Sequence, residues 1–112
     1  MNWGTIYWVN LEPASPPEFG KVRPGVIVSN STQNHILKTV VIVPLSSLAP
    51  EIWPLRLAPP IDTGLKKTSF AVLPGIRQIS KSRLEKKIGH LDGTFSAALQ
   101  TAMAAYLSEC PR

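Results

Sequence analysis

The chemistry-bearing side chains of this chain crowd into one stretch, Glu18-Phe19-Gly20-Lys21-Val22-Arg23-Pro24, which runs directly into Gly25-Val26-Ile27-Val28-Ser29-Asn30. The guanidinium of Arg23 is planar and permanently charged, a shape suited to two oxygens of one phosphate, and Lys21 adds a point charge beside it. Glu18 is the nearest proton acceptor. A polar loop feeding a β-branched run mounts these groups at the mouth of a strand, and chemistry is commonly carried on loops held by rigid strands. The combination describes a phosphate-handling site. The same residues also fit a solvated turn with an Arg–Glu surface pair, which contributes little in water.

At 112 residues the chain is expected to form a single domain, 1–112, able to bury a core without disulfides or metals. Its formal net charge of +5 points to an anionic partner, of which nucleic acid is the commonest. Cys110 is the lone cysteine, so no intramolecular disulfide can form and a reducing compartment is the natural setting. One Cys and two His cannot build a zinc cluster, and neither a metal site nor a cofactor is expected. Met1-Asn2-Trp3-Gly4 opens without a basic region or a long apolar run, so the expectation is a soluble, cytoplasmic protein with no membrane segment.

The elements that must position the loop are mostly strands. Thr5 to Leu11 is a β-rich run, after which Pro13, Pro16 and Pro17 leave Glu12 to Val22 as a long loop. Gly25 to Ser29 continues from Pro24 as a second, apolar strand, and Asn30 to Asn34 reads as a polar connector. Thr39 to Val43 scarcely alternates, so it belongs at the buried centre of the sheet, ending at Pro44 with Ser46 and Ser47 emerging beyond it. Leu55 to Leu57 alternates as a short strand, Asp62-Thr63-Gly64 reads as a turn, and Thr68 to Leu73 forms another strand broken at Pro74-Gly75 before Ile76 to Ile79 resumes. Ser80 can cap a short helix over 81–87 that Gly89 stops, with His90 left between two helices. Thr94 is the expected cap of a last, amphipathic helix with Phe95, Leu99, Ala102, Met103 and Tyr106 on one face. Many short strands, eleven prolines and helices at one end give a mainly β fold: an open barrel of short antiparallel strands with a short helix and a C-terminal helix packed against it.

Four segments in order resemble the MazF/PemK toxins of bacterial toxin–antitoxin pairs: Gly4-Thr5-Ile6-Tyr7-Trp8-Val9 with Glu12-Pro13, the Glu18 to Pro24 loop, Val43-Pro44-Leu45-Ser46-Ser47, and Ile76-Arg77-Gln78-Ile79-Ser80-Lys81-Ser82-Arg83-Leu84. The resemblance implies an SH3-like barrel with appended helices, a homodimer, and sequence-specific, metal-independent cleavage of single-stranded RNA. It also implies that Arg23 and Ser46 are catalytic, with Glu18 contributing to the active-site loop. The expected protein partner is an antitoxin whose disordered acidic tail lies in the basic groove.

Residue chemistry fits these expectations. Arg23 suits charge stabilisation on phosphorus but is a poor proton donor, which leaves Glu18 as the candidate base and Ser46 as a hydrogen-bond donor. Phe19 offers a stacking face, with Trp53 packed under its own prolines as the plainer reading of that aromatic, and Lys21, Asn34 and Arg77 are candidate RNA contacts. Trp3 and Trp8 read as core or subunit-interface residues, and His35 as a surface residue of the connector. Where the family commonly has an acidic residue and Gln before Ile-Arg, this chain has Pro74-Gly75, which predicts altered sequence preference or weaker activity. Two rival readings use the same barrel: a non-catalytic, gyrase-binding toxin of the CcdB type, and an RNA-binding module with degenerate activity.

Overall fold

The computed structural model describes residues 1–18, 20–47, 51–58 and 69–108. Among them, seven strands build one antiparallel sheet: β1 Thr5–Asn10, β2 Val22–Ile27, β3 Thr39–Ser46, β4 Arg56–Leu57, β5 Phe70–Val72, β6 Arg77–Ser80 and β7 Leu84–His90. A six-residue helix, α1 Ser31–Ile36, joins β2 to β3, and a fifteen-residue helix, α2 Gly93–Leu107, follows β7. The strand order is β4-β5-β3-β2-β1-β7, with β6 pairing to β3, so the barrel is open.

Strand β3 is the hub, as its unbroken apolar run requires. It pairs with β2 through Ile42, Val43 and Pro44, with β6 through Thr39 to Ile42, and with β5 through Leu45 and Ser46. The strand runs past Pro44, where the sequence pattern ends it. Pro44 has no N–H to offer, and it falls between the last β6 pair, at Ile42, and the first β5 pair, at Leu45, where the edge of β3 changes partner.

Alternation divides the apolar residues between two faces. Ile6, Val26, Val43, Leu45, Ala71 and Leu73 meet Phe95, Leu99 and Ala102 of α2 in the larger core. Val9, Leu11, Ile27, Val40, Ile42 and Ile79 form a smaller cluster on the opposite face. Removing a side chain such as Leu99 or Ile42 from water stabilises the fold by about 1.5–3 kcal/mol each. Trp3 packs against the larger core, whereas Trp8 is 39% exposed on β1.

Three local expectations are corrected. The helix expected over 81–87 is a single 3-10 turn, Lys81–Arg83, followed by β7, which pairs with β1 from Val9–Leu84 to Thr5–His90. Pairing with β1 supplies the backbone partners that a short, highly charged helix would have to find alone. His90 therefore ends a strand, with its Nδ1 3.4 Å from Thr5 Oγ1. The connector after β2 is helical because Asn30 caps it, its side chain accepting from Gln33 N at 2.9 Å. Helix α2 begins earlier than Thr94 because Asp92 is the cap, accepting from Phe95 N at 2.8 Å. The Asp62-Thr63-Gly64 turn and Cys110 lie outside the described residues.

Candidate functional site

The β1–β2 register places Arg23 directly across from Val9, and the β2–β3 register pairs Gly25 with Pro44. Residues opposite one another share a face, and so do residues two apart along a strand. Arg23 therefore shares a face with Gly25 and Ile27, and Ser46 with Ile42 and Pro44. Gly25–Pro44 is the last β2–β3 pair, and Arg23 and Ser46 each lie two residues beyond it on that same face. On β6, Arg77 pairs with Ile42, and on β4, Arg56 pairs with Val72, two residues from the Phe70 that pairs with Ser46. Three guanidinium groups and a hydroxyl are thus gathered on the face of the smaller apolar cluster. Helix α2 covers the other face.

Backbone approach is close at the centre of this face. A Cβ added to Gly25 would lie 3.0 Å from Val9 Cγ2 and 3.5 Å from Ile42 Cδ1. Glycine here lets β1, β2 and β3 close over the small cluster immediately beneath Arg23. Arg23 itself is half-buried, and its Nε donates to Gly20 O at 3.1 Å, which fixes the plane of the guanidinium to the loop. Ser46 is buried, at 3% exposure, and Ser47 is exposed.

The loop between β1 and β2 closes over the same face. Leu11 N donates to Lys21 O at 2.9 Å, and the Glu12 carboxylate accepts from Lys21 N. Lys21 has φ +63°, a left-handed conformation that a residue with a side chain adopts only where its surroundings impose it. Within the loop, Glu18 N donates to Ser15 O at 2.9 Å and Glu18 Oε1 accepts from Ser15 N at 3.1 Å, which holds the carboxylate on a turn.

A groove of about 630 Å³ runs beside these residues. Pro17 and Glu18 of the loop, Pro44 of β3, Arg77 of β6, and Arg56 with Ile52 and Leu55 from the β4 segment line it. Cations, a carboxylate and exposed apolar surface in one open groove suit a flexible polyanion whose bases need contact area and whose phosphates need charge. Pro74 and Gly75 also line it, so the departure from the family pattern falls on the groove wall.

The structure treats the candidate residues unequally. Arg23, Ser46 and Arg77 share one face, and Glu18 reaches the groove beside it. Lys21 is exposed on the same loop. Asn34 is a correction: it is 4% exposed, its Nδ2 donates to Ser29 O at 2.9 Å, and its Oδ1 accepts from Ser29 Oγ. The amide plugs the β2–β3 connection, with both of its polar atoms engaged by Ser29. Phe19 lies outside the described residues. Trp53 is 55% exposed instead of packed under its prolines, and His35 is exposed on α1. Arg56 was not singled out from the sequence, although the alternation in Leu55-Arg56-Leu57 carries the signal: Leu57 faces the larger core, which turns Arg56 to the groove side. Among the described residues, no three His, Cys, Asp or Glu side chains gather into a group that could hold a metal ion, and no helix is long and apolar enough to cross a membrane.

Comparison with known proteins gives a consistent result. Residues 2–107 match the family described as PemK-like, MazF-like toxin of type II toxin–antitoxin system. The chain is 31% identical over 113 residues to Endoribonuclease MazF9 of Mycobacterium tuberculosis, covering 96% of each protein. It is 27% identical over 110 residues to Endoribonuclease EndoA of Bacillus subtilis, covering 94% of this chain and 92% of that one. Among solved structures, a mycobacterial endoribonuclease in complex with its cognate antitoxin superimposes with a TM-score of 0.83 at 24% identity, over 99% of each chain, a likeness of fold.

Proposed function

We propose that this chain, which belongs to the PemK-like, MazF-like toxins of type II toxin–antitoxin systems, is the endoribonuclease of such a pair: a cytoplasmic, metal-independent enzyme that cuts single-stranded RNA at a specific sequence. The observation that carries the reading is the placement of Arg23, Ser46 and Arg77 on one sheet face, next to a groove lined by Arg77, Arg56 and Glu18. Two curated relatives bear the name endoribonuclease and align over nearly their whole lengths, which supports the activity. The match over 2–107 supports treating 1–112 as one toxin domain.

The chemistry follows from the groups present. The 2′-hydroxyl of the ribose gives its proton to Glu18 and attacks phosphorus; the O2′–P bond forms as the P–O5′ bond breaks. Arg23 pairs with the phosphoryl oxygens as charge builds on them, and Ser46 donates a hydrogen bond to an oxygen of the same phosphate. The departing 5′-oxygen takes a proton from solvent water, and the other product keeps a 2′,3′-cyclic phosphate. Arg56, Arg77 and Lys21 hold flanking phosphates, with Phe19 and Trp53 as stacking faces.

A cognate antitoxin with a disordered acidic tail would occupy the same cationic groove and shut RNA out, and a relative of the same fold has been solved with its antitoxin. The toxin is read as a homodimer, for which a solution mass of twice 12.2 kDa is the expected readout.

The decisive experiment is incubation of the protein in EDTA with a long single-stranded RNA, beside Arg23→Ala, with the fragment ends mapped. Discrete cuts with 2′,3′-cyclic phosphate ends in the wild type, absent from Arg23→Ala, are expected. The position of Pro74 and Gly75 on the groove wall favours one second reading, RNA binding without cleavage. Bound but intact RNA is the outcome that would establish it.

A further inference from the structure

Arg83 stands 71 and 73 residues away in sequence from the backbone it touches, and the proposed chemistry gives it no role. Its Nη1 donates to Asn10 O at 3.1 Å and also to Glu12 O. Those carbonyls mark the point where β1 gives way to the site loop. From there the contacts run in series. The Glu12 carboxylate takes the N–H of Lys21 at the far end of the loop, and Lys21 is held in its left-handed conformation. The same carboxylate lies against Gly20: a Cβ at that position would come within 2.6 Å of Glu12 Oε1, so a side chain there would push the carboxylate off its place. Gly20 O then receives Arg23 Nε at 3.1 Å.

We propose that Arg83 and Glu12 are positioning residues for Arg23, forming a clasp that locks the two ends of the loop together and thereby sets the carbonyl that orients the catalytic guanidinium. The proposal rests on the reading of Arg23 as the group that stabilises charge on the phosphoryl oxygens during cleavage. Neither Arg83 nor Glu12 needs to touch RNA. A guanidinium that must meet phosphate oxygens bidentately tolerates little rotation, so a clasp fixing its Nε acts on the rate of the chemical step more than on substrate binding. One nitrogen of Arg83 makes both carbonyl contacts, so a lysine ammonium, with three donors on one nitrogen, can replace it.

The test uses a short RNA carrying one mapped cleavage site, in EDTA, with kcat and KM measured separately and a thermal melt taken for each variant. Arg83→Met is expected to lower kcat by about 10- to 100-fold with KM changed by less than about 3-fold, and Arg83→Lys to recover most of the loss. The discriminating measurement is the same change in an Arg23→Lys enzyme, whose side chain has no Nε for Gly20 O to hold. There Arg83→Met should cost less than about 2-fold, because the clasp has nothing left to aim. Glu12→Ala, which breaks the clasp from its other end, should show the same pattern and provides the test if Arg83→Met does not fold. Wild-type cleavage with full kcat in Arg83→Met, or an equal loss in the Arg23→Lys background, overturns the clasp while leaving the nuclease reading standing. Absence of cleavage by the wild type overturns the nuclease reading and the clasp with it.

Discussion

Basic side chains near an RNA-cleaving site invite assignment to RNA, and this chain shows why burial and partners must decide. Lys81 and Arg83 follow Arg77 within one motif, yet Lys81 donates through Nζ to Asn34 O and Arg83 is spent on Asn10 and Glu12. Of these cations, Arg77 lines the groove. Asn34 makes the same point for a neutral side chain. Its Oδ1 accepts from the Ser29 hydroxyl and its Nδ2 donates to the Ser29 carbonyl, and that hydroxyl also accepts from Val41 N at 3.0 Å. Asn34→Ala should therefore destabilise the fold by about 2–3 kcal/mol, because buried groups of Ser29 lose their partners. Cleavage per folded molecule should be unchanged, as read by denaturant melts alongside RNA kinetics. A normal melt with reduced RNA affinity would return Asn34 to the binding surface.

At the scale of elements, the sequence was most legible where hydrophobic periodicity and local caps agree. The run Thr39 to Val43 announced the central strand because a strand buried on both faces has no polar positions to spare. The C-terminal helix was legible from Phe95, Leu99 and Ala102, all of which the larger core buries. Its cap was displaced by two residues because Asp92 and Thr94 are both competent caps and only the geometry selects one. Asp92→Ala should lower stability by about 1 kcal/mol, measured as a shift in melting midpoint, while leaving cleavage per folded molecule intact. The miss at 84–90 has a tertiary cause. Lys86, Lys87 and Glu85 suggest a helix locally, but the edge of β1 offers hydrogen bonds that only a strand can take. Helix α1 did leave a local signal, Asn30 followed three residues later by Gln33, a capping pattern in a stretch otherwise read as connector. The Arg83 clasp left none, since nothing local ties a residue after β6 to a loop so distant in sequence.

For the molecule as a whole, the net charge of +5 is useful only if it is concentrated, and Arg23, Arg56 and Arg77 concentrate it on one face. Binding to single-stranded RNA should weaken as salt rises, with a log–log slope of about −0.7 for each phosphate neutralised. Arg56→Ala and Arg77→Ala should each make that slope shallower by about 0.7 while leaving the melting temperature within a few degrees, as titrations over a range of salt concentrations would read. An unchanged slope in both variants would place the RNA elsewhere. The sheet reached from sequence and the sheet observed agree in class, and the family match over 2–107 agrees with the four motifs that first suggested it.

The change of partner along β3 has a mechanical meaning. β5, with β4 beyond it, joins the rest of the sheet laterally through two rungs, Leu45–Ala71 and Ser46–Phe70. One side of the groove, with Arg56 and Val72, stands on that small flap; the other, with Leu11, Glu18 and Arg77, stands on the main sheet. The molecule is thus built like a jaw whose hinge is the last two residues of β3, one of which is Ser46. Widening the bite would strain those two rungs and also drag Leu57, Ala71 and Leu73 across Phe95, Leu99 and Ala102, so the core under α2 sets the gap between the arginines while the Ser46 hydroxyl sits at its pivot.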